Sequence, residues 1–303
     1  MHKCMPIVIV RAHAKQILPI IMKLLNYGPK GQEKPGVLDN EQNIRSLDGV
    51  CRVISSAFLA DGGLTLLENV DISALPIVNN NGRIGAPLLN PGKIIAVGLN
   101  YDKHIKETGS KQRDEPVLFT KAVSSLNGPF DDIERPKNAS QVDWEIELVV
   151  IIGKEAKYIT ENQVEEHIAG FCTGIDVSER HFQKHRSGQW LKGKSADTFA
   201  PIGPYFVTLD EFKQYQSCNV RLDVNGERKQ SSNTNTMIHS VKKLVSYINE
   251  FMSLQPGDLI FTGTPEGVGL GMKPAQFLKA DDHVMAEVEG LGVQEHKVVN
   301  YSI

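Results

Sequence analysis

Paired cysteines, long apolar runs, internal repeats and a dominant charge sign are all missing from these 303 residues. Cys4, Cys51, Cys172 and Cys218 are scattered without a Cys-x-x-Cys pair. They read as free thiols filling a core in a reducing, cytoplasmic compartment, which excludes a disulfide scaffold. No apolar stretch approaches the ~20 residues that span a bilayer, so no membrane partner is predicted. Lys and Arg number 33 against 36 Asp and Glu, a net charge of −3. That balance gives no electrostatic reason to expect nucleic acid. Without repeats or low-complexity tracts, solenoids and disordered arrays are excluded as well.

The chain is long enough for one large domain or two, burying about three quarters of its surface. Residues 1–21 contain neither Ser nor an acidic residue, and Arg11, His13 and Lys15 break their apolar patches. A secretory signal needs an unbroken apolar core and a transit peptide more Arg and Ser. The segment therefore reads as an extension ahead of Met22. Residues 22–92 alternate short β-like runs with turns at Pro35-Gly36, Asp48-Gly49, Asp61-Gly62-Gly63 and Asn79-Asn80-Asn81-Gly82, a small N-terminal domain poor in catalytic residue types. Pro87–Gly92 reads as a linker. The chemistry is predicted in residues 93–303.

Within that region, Asp143-Trp144-Glu145-Ile146-Glu147-Leu148-Val149-Val150-Ile151-Ile152 places two carboxylates two residues apart ahead of a continuous apolar run. On a strand both point to one face. A solvated strip is one reading, but the apolar continuation suggests a strand buried on both sides. Two buried carboxylates repel each other unless a cation holds them, and oxygen ligands suit Mg²⁺, Mn²⁺ or Ca²⁺. Asp176 follows the apolar and small residues of Gly170–Ile175 and is either a turn former or the third ligand. Three carboxylates complete one face of an octahedral ion and leave positions for substrate or water.

Lys93–Tyr101 is predicted as a buried strand leading into a polar stretch with His104 and Glu107. Three apart on a helical turn, Glu107 can orient His104 as a general base, although a solvated His–Glu pair has the same spacing. The stretch 102–114 is polar and contains Gly, as lids do, so the pair is predicted on a mobile segment that closes over substrate. Gly188–Ser195 matches the Walker A pattern letter for letter. The polar residues before it and the prolines after it deny it the required strand and helix, so no phosphate loop is predicted. Lys194 reads either as a cation beside the carboxylates or as a solvated lysine. Thr262–Gly269 is a Gly-rich loop whose amides can approach an anion closely.

Taken in order, Val97–Tyr101 with His104, Asp143–Leu148, Asp176–Arg180, Lys192–Phe199 and Thr262–Gly269 resemble the fumarylacetoacetate hydrolase family over roughly residues 93–290. The openings Met22–Leu25 and Gly31–Gly36 resemble a bacterial subgroup that hydrolyses 2,4-diketo-3-deoxy sugar acids. The resemblance implies an α+β, mostly β fold, a mixed β-sandwich roll with a smaller N-terminal β domain, assembled as a homodimer. It implies Mg²⁺ or Mn²⁺ on Glu145, Glu147 and Asp176, and a water-activating dyad of His104 and Glu107. It gives Lys194 a catalytic role and places Arg180, Gln183 and Thr264 against substrate. Founding members carry one more acidic ligand in the region where Asn100 stands here, so three carboxylates plus water are expected.

The implied reaction is hydrolysis of a C–C bond in a 2,4-diketo acid, giving pyruvate and a small acid. An oxaloacetate tautomerase or decarboxylase would use the same enolate. A non-catalytic metal- or ligand-binding relative is the alternative of another class; the joint presence of Glu145, Glu147, Asp176, His104 and Lys194 argues against it.

Overall fold

A computed structural model describes residues 22–79 and 82–302. The proposed extension at 1–21 lies outside the described residues. Strand predominates over helix, 34% against 21%, in a mixed, mostly β architecture.

Two sheets set the frame. The larger runs in the order Ile44–Ser46, Lys34–Leu38, Lys23–Tyr27, Ala200–Thr208, Ile168–Ile175, Ile146–Ile152, Leu259–Phe261, Ile94–Gly98, Val117–Lys121, with Leu126–Asn127 paired to Ala200–Thr208. The smaller runs Glu227–Asn233, Asn219–Val224, His283–Val288, Val293–Asn300, Ile133–Arg135. The described residues of 22–92 build no separate sheet: Lys23 and Leu24 pair with Val207 and Phe206, so their strands extend one end of the large sheet.

The strand Ile146–Ile152 explains the layering. Its even residues Ile146, Leu148, Val150 and Ile152 join Leu222, Ala286 and Val288 in the core between the two sheets. Its odd residues Val149 and Ile151 join Leu24, Phe58 and Leu67 in a second core, beneath the N-terminal segment. A strand between two cores must be apolar on both faces, which is why its sequence does not alternate. The helix Val241–Phe251 closes the first core with Val241, Leu244, Val245 and Ile248, a 3–4 spacing that puts all four on one side. Ser240 caps it, accepting from the Lys243 amide at 3.2 Å.

Candidate metal centre and active site

Glu145 immediately precedes the Ile146–Ile152 strand and Glu147 lies within it, so the period of two gives them a common face. Asp176 follows the neighbouring strand Ile168–Ile175, whose Ile175 pairs with Ile146. The Asp176 amide donates to the Glu145 carbonyl at 2.8 Å, fixing the end of one strand against the other. One carboxylate oxygen from each of the three residues lies within 4.8 Å of the others, and all three side chains are buried.

Three cations surround them. Lys194 Nζ bridges Glu145 Oε2 and Asp176 Oδ2, 2.6 Å from each. Lys121 Nζ, fully buried, meets Asp176 Oδ1 at 2.5 Å and the Val177 carbonyl at 3.2 Å. Arg180 spans Asp143 Oδ2 (2.8 Å), Glu145 Oε1 (2.7 Å) and Gln183 Oε1 (3.2 Å). Asp143 also accepts from the amides of Gly269 and Leu270 at 2.7 and 3.0 Å, which anchors the loop after Pro265.

Protonation follows from this layout. Burial pushes the Glu145 carboxyl up, but Arg180 and then Lys194 outweigh it and hold it well below the usual range. Burial pushes Glu147 far above its ordinary value, and the charges of Asp176 and Glu145 push it further. Burial also pulls the Lys194 ammonium down, yet Asp176 and Glu145 leave it raised.

A divalent cation fits this donor set. Four carboxylates, those of Asp143, Glu145, Glu147 and Asp176, face three cations, so Glu147, the one its neighbours push up, either holds a proton or repels Asp176 and Glu145. Among the described residues Glu147 is the member with no ion pair; its Oε2 accepts the Gly263 amide, at 2.7 Å. A hard cation on Glu145, Glu147 and Asp176 would relieve that repulsion. Gly263 has φ +98°, and a Cβ there would stand 2.7 Å from Asn100 Cβ, so the loop that delivers this amide needs glycine.

His104 and Glu107 lie on the helix Asp102–Thr108, with His104 Nδ1 2.9 Å from Glu107 Oε1. Glu107 Oε2 accepts the Gly267 amide at 2.9 Å. A Cβ at Gly271 would come within 2.8 Å of Glu107 Cδ, so a larger residue there would push the Glu107 carboxyl aside. In this structure the stretch 102–114 holds His104 buried, in a pocket shared with Glu145, Glu147, Arg180, Gln183 and Thr264. All nine residues singled out from sequence thus fall in one region. Thr264 Oγ1 donates to the Ile146 carbonyl (2.8 Å) and accepts from Gln230 Nε2 (2.9 Å).

The Walker-like stretch has no strand before it. The helix Arg180–His185 precedes it, and Leu191–Lys194 forms a short helix that turns Lys194 inward. Asn100 is a buried clamp, donating to the carbonyls of His239 and Thr262 and accepting from the His239 amide. Lys121, Asp143 and Gln230 escaped sequence reasoning as members of the site. A lysine ending the apolar strand Val117–Lys121 was the available signal for the first; the others become visible only through contacts between distant segments.

The fold and site define a class, and comparison with known proteins names it. Residues 93–299 match the family described as fumarylacetoacetate (FAA) hydrolase C-terminal. The chain is 47% identical over 280 residues to a Burkholderia orbicola protein carrying a provisional hydrolase name, covering 92% of this chain and 99% of that one. Among solved structures it resembles fumarylacetoacetate hydrolase from psychrophilic Exiguobacterium antarcticum, with a TM-score of 0.83 and 35% identity over 92% of this chain and all of that one. It also resembles a probable 2-hydroxyhepta-2,4-diene-1,7-dioate isomerase from Mycobacterium abscessus, with a TM-score of 0.80 and 28% identity over 94% of this chain and all of that one. The chain belongs to the fumarylacetoacetate hydrolase family.

Proposed function

We propose that this protein hydrolyses the C3–C4 bond of a 2,4-diketo acid of acylpyruvate type, releasing pyruvate and the acid of the acyl group. The observation that carries this reading is the His104–Glu107 contact at 2.9 Å in the pocket that holds the carboxylate trio. Hydrolysis needs an activated water, whereas tautomerisation needs none.

Glu107 accepts the proton on Nδ1 of His104, which leaves the Nε2 lone pair free to take a proton from water. Hydroxide adds to C4, the C3–C4 pair moves to C3, and C3 is then protonated. Water is consumed, and the acyl group leaves as its acid. Lys194 and Arg180 offset the negative charge that develops on substrate oxygens. Glu145, Glu147 and Asp176 would hold Mg²⁺ or Mn²⁺, which supplies Lewis-acid stabilisation of the C2 oxygen when bound.

The opening residues Met22–Leu25 and Gly31–Gly36 favour a 2,4-diketo-3-deoxy sugar acid as the substrate. A second reading, tautomerisation or decarboxylation of oxaloacetate through the same enolate, draws support from the isomerase likeness. A panel of 2,4-diketo acids and oxaloacetate, assayed for pyruvate with Mg²⁺ or Mn²⁺, tests both. EDTA should abolish activity and added metal restore it. In ¹⁸O-water only C–C hydrolysis labels the released acid; activity without that label refutes the hydrolase. A homodimer is part of the proposal, and light scattering should give twice the 33.5 kDa chain mass.

A further inference from the structure

We infer that Lys184 selects the acyl group of the substrate, favouring a tail that carries an oxygen substituent, hydroxyl or carboxylate, over plain alkyl. The inference rests on the hydrolase reading above and adds a residue outside the metal centre and the dyad.

The hydrolase reading sets which end of the substrate meets Lys184. The 2-oxo acid end supplies the chelating oxygens and belongs at Glu145, Glu147 and Asp176, and C4 belongs beside His104. The acyl tail therefore projects outward, through a cavity of about 50 Å³. Leu99, Trp190 and Leu270 line the same pocket and offer no charge to a tail, and the Ser110 hydroxyl beside them is paired with that of Thr108 at 2.9 Å. The Thr108 hydroxyl is already committed to the His104 carbonyl at 2.9 Å.

Lys184 stands on the same wall, four residues after Arg180 on the helix Arg180–His185, hence one turn further out on the same face. Arg180 spends its guanidinium on Asp143 and Glu145. Lys184 makes no ion pair or hydrogen bond among the described residues. Lys184 is exposed to solvent on its outer side, and the partial burial of the rest, then the charge of Arg180, pushes its ammonium below its ordinary value. A lining cation with no partner of its own is what an oxygen-bearing ligand would complete.

The wild-type enzyme and Lys184→Met are compared on three acylpyruvates that share the 2,4-diketo head. Their acyl groups are acetyl, 2-hydroxypropanoyl and 3-carboxypropanoyl. For the two oxygen-bearing tails the variant should lose about 10–100-fold in kcat/KM, mostly through KM, the usual range for one charge-assisted hydrogen bond. Acetylpyruvate should change less than about threefold on the same basis. A greater loss for the carboxylate tail assigns an anionic substrate; equal losses assign a hydroxylated one. Lys184→Glu should depress the carboxylate tail below acetyl. An unchanged ratio between oxygenated and alkyl tails overturns the role of Lys184 while hydrolysis stands. A wild-type enzyme that releases pyruvate from none of the three overturns both. Circular dichroism and metal-induced thermal shift should match the wild type, which separates selectivity from misfolding.

Discussion

Replacing Glu147 by Gln should make the metal-stripped protein more stable while removing its response to metal. Glu147 is buried, carries no ion pair among the described residues, and has Glu145 and Asp176 within 4.8 Å. At an effective dielectric of ~20, each such contact costs about 3–4 kcal/mol. Nearby Lys194 and proton uptake by the raised carboxyl cancel part of that. Gln has the same shape and keeps an oxygen for the Gly263 amide. A net gain of about 1–4 kcal/mol remains, roughly 3–10 °C in Tm for a chain of this size. The sign with pH follows from the raised carboxyl. Below its ordinary value, near 4.5, both folded and unfolded Glu147 are protonated and nothing is gained. As pH rises past that value the unfolded state ionises first, and the wild type falls progressively behind the variant. Calorimetry in EDTA across pH 4–8, repeated with excess Mn²⁺, reads both effects. A variant less stable than wild type in EDTA at pH 8, or one that keeps the full Mn²⁺-induced shift, refutes the reasoning.

His104→Ala should leave Mn²⁺ binding intact while turnover falls by about 10²–10⁴-fold, the usual share of a general base; undiminished turnover removes the dyad from the reaction. Glu107→Gln keeps the Gly267 contact but loses the charge that orients His104, so its turnover should fall between those of the wild type and His104→Ala. Gln230→Leu should cost about 2–5 kcal/mol, measured by urea denaturation, because it leaves the Ile146 amide and Pro265 carbonyl unpaired and frees Thr264. Its KM should rise as well, since Thr264 lines the pocket, and a KM equal to wild type would detach Thr264 from substrate.

Features carried by local spacing were legible in the sequence. The Glu145–Glu147 period, the apolar run of a strand buried on both faces and the three-residue step from His104 to Glu107 each depend on backbone geometry that neighbouring residues share. Asp176 was legible as a strand end. Of the turn signals before residue 92, Asp48-Gly49 and Asp61-Gly62 do punctuate the chain, whereas Pro35-Gly36 lies inside the strand Lys34–Leu38, paired with Asn26 and Leu25, and Asn79–Gly82 falls partly outside the described residues. None of them could show that these strands add to the large sheet, because sheet edges are matched by residues nearly two hundred positions away. Lys121 and Asp143 were missed for the same reason. Lys121 reaches Asp176 across 55 positions and Arg180 reaches Asp143 across 37, and nothing in either local segment specifies the partner. The Walker-like letters show the converse: a short motif matched while its required strand was absent.

The position of Ile146–Ile152 between two cores also sets a gradient in time. Its amides are bonded to Ile168–Ile175 on one side and Leu259–Phe261 on the other, so they should exchange with deuterium only when the whole molecule unfolds. The helix Arg180–His185 is six residues long and exposed along much of its outer turn, so its amides should exchange through local opening. Glu147 thus rests on the slowest-exchanging element, with Glu145 next to its first residue, and Lys184 on a fast one. A lineage could retune which acyl group is accepted by altering that helix, without disturbing the strand that keeps the chemistry in place.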